Sequence, residues 1–242
     1  IKLTDEIYQK GEKEKNSPQM LKAYAWRMKY REMLNPDSLY AGLKGLEQWV
    51  KQTDQPMDRA ILHSLIAGIY ANYAANNQWQ LRQRTEIVGQ TPSADIREWT
   101  ANMFVEKVRT NVKEALADSV LLLKTSSRDY IPFVELGKTS EYYHHDLYHL
   151  LASRGIDALL QVEKLGSGYT ETNAVNPVKQ DIIAIYGNML SAYKAAGLKE
   201  GYVLTALNYL DWRRGAERYI RPLQVKGCLL YTSDAADEAR SV

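Results

Sequence analysis

His145 and His149 stand four residues apart in the run Tyr143-His144-His145-Asp146-Leu147-Tyr148-His149. On a helix that spacing turns two imidazoles toward one face, where they can share a divalent metal such as zinc. A hydrolytic zinc helix carries a glutamate directly after its first histidine. Here Asp146 takes that place, and its shorter carboxylate lies closer to the backbone. Spacing supplies no third ligand, because Glu141 is only a neighbour. The residues favour a structural reading, in which the histidines hydrogen-bond at the approach to a helix or face water. Metal-dependent catalysis is the competing reading, and it requires a third donor about 2.2 Å from the ion.

A second cluster is Arg82, Arg84, Thr85 and Glu86, just after Trp79. An arginine fork can clamp a carboxylate through two parallel hydrogen bonds. The simpler role has Arg84 paired with a half-buried acidic group and Thr85 capping the segment, which stabilises a bend between helix pairs. Tyrosine is abundant, with 17 in the chain. Tyr70, Tyr73, Tyr142, Tyr143, Tyr202, Tyr209 and Tyr219 are candidates for a concave platform that contacts peptide or sugar. Packing between helices is the default use of such rings. Neither G-x-G-x-x-G nor G-x-x-x-x-G-K-[ST] occurs, and no serine has a placed histidine partner, so phosphate-cradling loops and a catalytic triad have no signature here. The residues point to no enzyme, and no catalytic residue, metal or cofactor is assigned from them.

The elements that must position these residues read as helices. Leu3, Ile7 and Tyr8 begin a short first helix that Gly11 and Asn16-Ser17-Pro18 close, and Pro18 suits the first turn of the next. Leu21, Ala25, Met28 and Leu34 line that second helix. Leu39, Leu43, Leu46 and Val50 recur at three to four residues, as an amphipathic helix requires. A more apolar helix follows over Ala60 to Ala75. A cap at Ser93 starts a long stripe of Ile96, Trp99, Met103, Val108, Val112, Leu116 and Val120, predicted to run to Lys124. Asp146 to Leu160, Ile182 to Gly197 and Leu198 to Arg214 complete the set. The predicted fold is all-α, an irregular stack of antiparallel helix hairpins, tetratricopeptide-like in its first part. Its regions are a helical-hairpin region over 1–90, a continuation of the same array over 91–226, and a tail over 227–242.

Composition agrees with a folded chain: 45% hydrophobic and 25% charged, with a formal charge of +2. Asp234, Asp237, Glu238 and Arg240 in the tail contribute −2, leaving +4 before it. Lys and Glu alternate through Lys10 to Lys15, and Asp211 and Glu217 dilute the arginines Arg213, Arg214, Arg218 and Arg221. No nucleic-acid surface is therefore expected. No apolar run reaches the length of a membrane span. The only cysteine, Cys228, lies in the tail, so the rest of the chain carries no thiol chemistry.

Several stretches resemble the helical N-terminal region of the large alpha-2-macroglobulin-like proteins of Bacteroidetes. They are Ser17 to Ala23, Ala60 to Ala67 with Ile69-Tyr70, Asn76-Asn77-Gln78-Trp79, Arg84-Thr85, Asp95-Ile96 with Trp99, Tyr143 to Ala152, and Ile185 to Leu210. Where that family has an Arg-Pro-Thr-Leu-Tyr-Asp-like run, this chain reads Tyr143-His144-His145-Asp146-Leu147-Tyr148-His149, with His145 in place of the proline. The resemblance implies a non-catalytic helical scaffold or interaction region of a cell-envelope protease inhibitor, on the periplasmic side or as an outer-membrane lipoprotein. The bait and inhibitory machinery would lie outside this chain, and proteases would be met through those missing downstream regions. An envelope-protein partner is a further implication. Tyr70, Tyr73, Trp79, Arg84, Thr85, Trp99, Tyr143, His145, Tyr148 and His149 are its interaction or structural positions. The alternative is an independent envelope module that binds peptide or glycan. The tail itself, in Cys228 to Glu238, resembles a translated sequencing adapter, so the native reading frame is expected to be interrupted near Lys226, and the start at Ile1 is expected to be internal as well.

Overall fold

The computed structural model describes residues 1–35, 38–84, 92–135, 137, 145–163, 165 and 176–214. Thr85, Tyr142, Tyr143, Tyr219 and the tail with Cys228 lie outside them. Among the described residues the chain is all-helical, with one isolated bridge between Ser126 and Asp146 and no strand.

Helix α1 (Lys2–Lys13) pairs with α2 (Ser17–Leu34), and α3 (Ser38–Gln52) with α4 (Pro56–Asn76). The starts of these helices follow from local chemistry. Asn16 Oδ1 accepts from the Gln19 N–H at 3.1 Å, and prolines open α2 and α4, where a missing N–H costs nothing. Gly11 does not end α1. The helix continues to Lys13, and Gly11 is buried against Met20, where the lack of a side chain lets α1 and α2 approach. Leu34, read as lining α2 together with Leu21, Ala25 and Met28, is 77% exposed, and Leu3 in the first turn of α1 is 67% exposed.

After the short α5 (Gln78–Arg82), the stripe predicted as one helix from Ser93 to Lys124 is broken into three pieces. A 3-10 turn spans Ile96–Glu98, α6 spans Ala101–Ala115, and α7 spans Ser119–Lys124. The break has a local cause: the Asp118 carboxylate accepts from the Leu121 N–H at 3.1 Å, capping a new helix start. Rotated by that break, Val120 faces solvent while Leu122 is fully buried. A 3-10 turn over Ser127–Tyr130 leads toward α8 (Leu147–Glu163). Helix α9 (Pro177–Ala196) is capped by Asn176 and ends at Gly197, whose φ of 73° is left-handed and suits glycine, before α10 (Lys199–Arg213).

Helix α4 is the centre of the molecule. It packs on α3, α6 and α8, and accordingly buries residues nearly all round its axis, from Ala60 to Ala74. Its neighbours contribute Phe104, Val108, Leu147 and Leu159, each fully buried. Burial of each large side chain of this kind contributes about 1.5–3 kcal/mol. One continuous core joins residues from α2 to α9, so the packing crosses the boundary at residue 90 without interruption.

Candidate functional site

Two clusters gather most of the residues singled out in the sequence. The first is built between α4, the end of α5 and the start of α6. The Tyr70 ring stacks on Trp99 with centroids 5.2 Å apart and planes within 8°. Phe104 tilts against both of those rings and stacks on Tyr73 at 5.4 Å. Polar tips hold the rings in place. Trp99 Nε1 donates to the Ser93 carbonyl at 2.7 Å, and Tyr70 Oη donates to Glu47 at 3.2 Å. Glu47 also pairs with Lys107 at 2.6 Å, whose ammonium lies over the Tyr70 ring at 5.5 Å. Burial first, and the Glu47 carboxylate second, push the Tyr70 phenol well above its usual range.

Arg84 belongs to this cluster, with a carbonyl as its partner. Its Nη1 donates to the Trp99 carbonyl at 2.6 Å, across fifteen residues. That bond ties the end of the α5 segment to the entry of α6, the bend-stabilising role expected, although the partner is backbone instead of an acid. Trp79 stands apart from the cluster and is 73% exposed. Phe104 had no place in the predicted stripe, yet it sits at the middle of the rings. Its signal was available, because Phe104, Val108, Val112 and Ala115 share helical spacing.

The second cluster is centred on the start of α8. His145 precedes the helix, which begins at Leu147, so the two histidines do not share one helix face as the competing metal reading required. Asp146 explains why. Its Oδ1 accepts from the His149 backbone N–H at 2.8 Å, which makes the aspartate the capping residue and leaves His145 in the preceding extended chain. There the His145 carbonyl accepts from the Ser127 N–H at 2.6 Å and from Ser127 Oγ at 3.0 Å. Burial, with Arg128 nearby, lowers the His145 pKa.

His149 is 3% exposed and turns its ring to the same aspartate, with Nδ1 at 2.8 and 3.0 Å from the two oxygens. A carboxylate only accepts, so Nδ1 carries the donated proton. The ring is enclosed by Tyr148, edge-on at 5.6 Å, and Tyr193 at 4.1 Å, and Nε2 lies 3.5 Å from the Met189 carbonyl of α9. Tyr148 is equally buried and bonds to the Asn188 side chain. The pair therefore fastens α8 to α9. Among the described residues, no three His, Cys, Asp or Glu side chains converge as metal ligands would.

Sequence reasoning passed over one buried and one half-buried charge. Asp58, in the first turn of α4, is 4% exposed and accepts from Tyr130 Oη at 2.8 Å and Ser17 Oγ at 2.5 Å, joining three distant segments. Arg154 of α8 donates from Nε to Ser64 Oγ of α4 at 3.1 Å. Arg154 interrupts an apolar stretch, a signal that marks the residue without naming its partner, whereas Asp58 stands among Pro56, Met57 and Arg59 with no such mark. Tyr70 is too buried to serve as part of a ligand platform; of the other tyrosines considered, Tyr202 is 39% exposed. No helix among the described residues is long and apolar enough to cross a membrane. No known protein family, curated protein or solved structure matches the chain.

Proposed function

We propose that the chain is a non-catalytic helical scaffold or interaction region of an alpha-2-macroglobulin-like protease inhibitor of the bacterial cell envelope. One observation supports this reading above the others: Tyr70, Trp99, Arg84, Tyr148 and His149, which carry much of the resemblance, spend their polar groups on contacts within the fold, Tyr70 and Tyr148 between helices, Arg84 and Trp99 along the chain between α5 and α6, and His149 at the start of α8. Residues used in this way transmit position and stiffness. Successive contacts from α1 through α4 agree with a tetratricopeptide-like hairpin stack at the beginning of the array. In this reading the scaffold holds inhibitory domains encoded beyond the chain at the periplasmic side of the envelope, and proteases meet those domains. The alternative, an independent peptide- or glycan-binding module, has less support because Tyr70, one of the rings named for its platform, is buried.

The decisive experiment is to sequence the uninterrupted gene from its source DNA. A lipoprotein-type signal upstream and a series of β-sandwich domains downstream are the expected result. A natural stop codon close to residue 226 overturns the proposal, and specific binding of a peptide or glycan by the isolated chain would then favour the alternative.

A further inference from the structure

Arg154 is half-buried on the flank of α8 that meets α4. Its Nε–H is committed to Ser64 Oγ at 3.1 Å, and Ser64 is itself 6% exposed, so the guanidinium plane is held from one side. One turn further along α4, Gly68 has no side chain. A Cβ there would stand 3.5 Å from Arg154 Nη2, an ordinary van der Waals contact, so this turn of α4 lies directly alongside the fork. With Nε engaged, the two terminal amino groups form a pair of parallel donors, and no hydrogen bond uses them among the described residues. Asp157, three residues on, favours the charge at longer range. Burial outweighs it and pulls the Arg154 pKa down to about 10.

A guanidinium removed from water without an adjacent anion is costly, and the cost is offset when a counter-charge is supplied. The fork selects the shape of that counter-charge, because two parallel N–H donors match the two oxygens of a carboxylate. We propose that the Arg154 fork, oriented by Ser64 and flanked by Gly68, binds one carboxylate, carried by a small organic acid or by the C-terminus of a peptide. This site is independent of the scaffold reading and stands or falls without it.

The test uses the 242-residue chain labelled with 15N, in which the Arg154 Nε–Hε resonance is identified by its disappearance in Arg154→Lys. Sodium acetate is titrated against sodium chloride at equal ionic strength. Saturable movement of that resonance with acetate, and none with chloride, is the expected result. Ser64→Ala, which frees the fork to rotate, should weaken acetate about fivefold, the equivalent of one ordinary hydrogen bond. Backbone amide spectra of both variants report whether the fold persists. Trialanine with a free C-terminus and its C-terminal amide separate the two sources. Binding of the acid at least about tenfold tighter than acetate assigns a peptide, and equal binding assigns a small acid. A response to acetate in the unaltered protein that is linear, or that chloride reproduces, overturns the proposal.

Discussion

Asp146 does two things with one carboxylate: it caps α8 and fixes the His149 tautomer. Asp146→Ala removes the cap and strands a buried N–H. It is expected to cost about 2 kcal/mol in urea unfolding, whereas Asp146→Asn, which still accepts at the cap, should cost less. A second prediction concerns pH. Tyr8, Tyr24, Tyr70, Tyr73, Tyr130 and Tyr148 all have phenols raised above the ordinary 10.0, burial being the first cause in each. Above pH 10 the unfolded chain loses these protons before the folded one, so the folded state holds more protons and stability falls as pH rises. Their contribution is fully present below that pH. The tyrosinate absorbance of these six should therefore appear only with the loss of helical circular dichroism, after that of the exposed tyrosines; complete ionisation of the tyrosines on an intact fold would contradict the packing described.

Helix α10 shows how an element can reverse the polarity its composition suggests. It buries Gly201, Thr205 and Asn208 and leaves Val203, Leu207 and Leu210 between 45% and 52% exposed. The cause lies in its partner: a side chain at Gly201 would collide with the ring of the fully buried Tyr193 of α9. Gly201→Ala is expected to destabilise α10 by about 1–3 kcal/mol through this overpacking. Amide hydrogen exchange checks it, with α10 exchanging faster while α4 is unchanged. By contrast, Phe104→Ala opens the centre of the α4–α6 seam and should cost about 3–5 kcal/mol. Helix periodicity made most elements legible in advance, including α3, α9 and the Gly197 stop. It failed over 93–124, because apolar residues on either side of a cap can continue a numerical stripe after the helix itself has changed direction.

At the scale of the molecule, the continuous core from α2 to α9 joins the two helical regions through α4. Such a core predicts cooperative unfolding, and urea curves followed by tryptophan fluorescence and by circular dichroism should superimpose. Two separated transitions would show that the regions unfold independently. The sequence by itself determined the all-α class, the hairpin rhythm and the absence of a common catalytic signature, since periodicity, caps and motifs are local properties of the chain. Only the tertiary structure decided that Arg84 meets the Trp99 carbonyl, that Asp58 collects hydroxyls from Ser17 and Tyr130, that His149 turns inward, and that Arg154 finds Ser64 ninety residues away. Those outcomes depend on which helix faces pack together. A polar group's choice of partner is settled by burial and geometry across that packing, and neighbouring residues along the chain carry no record of it.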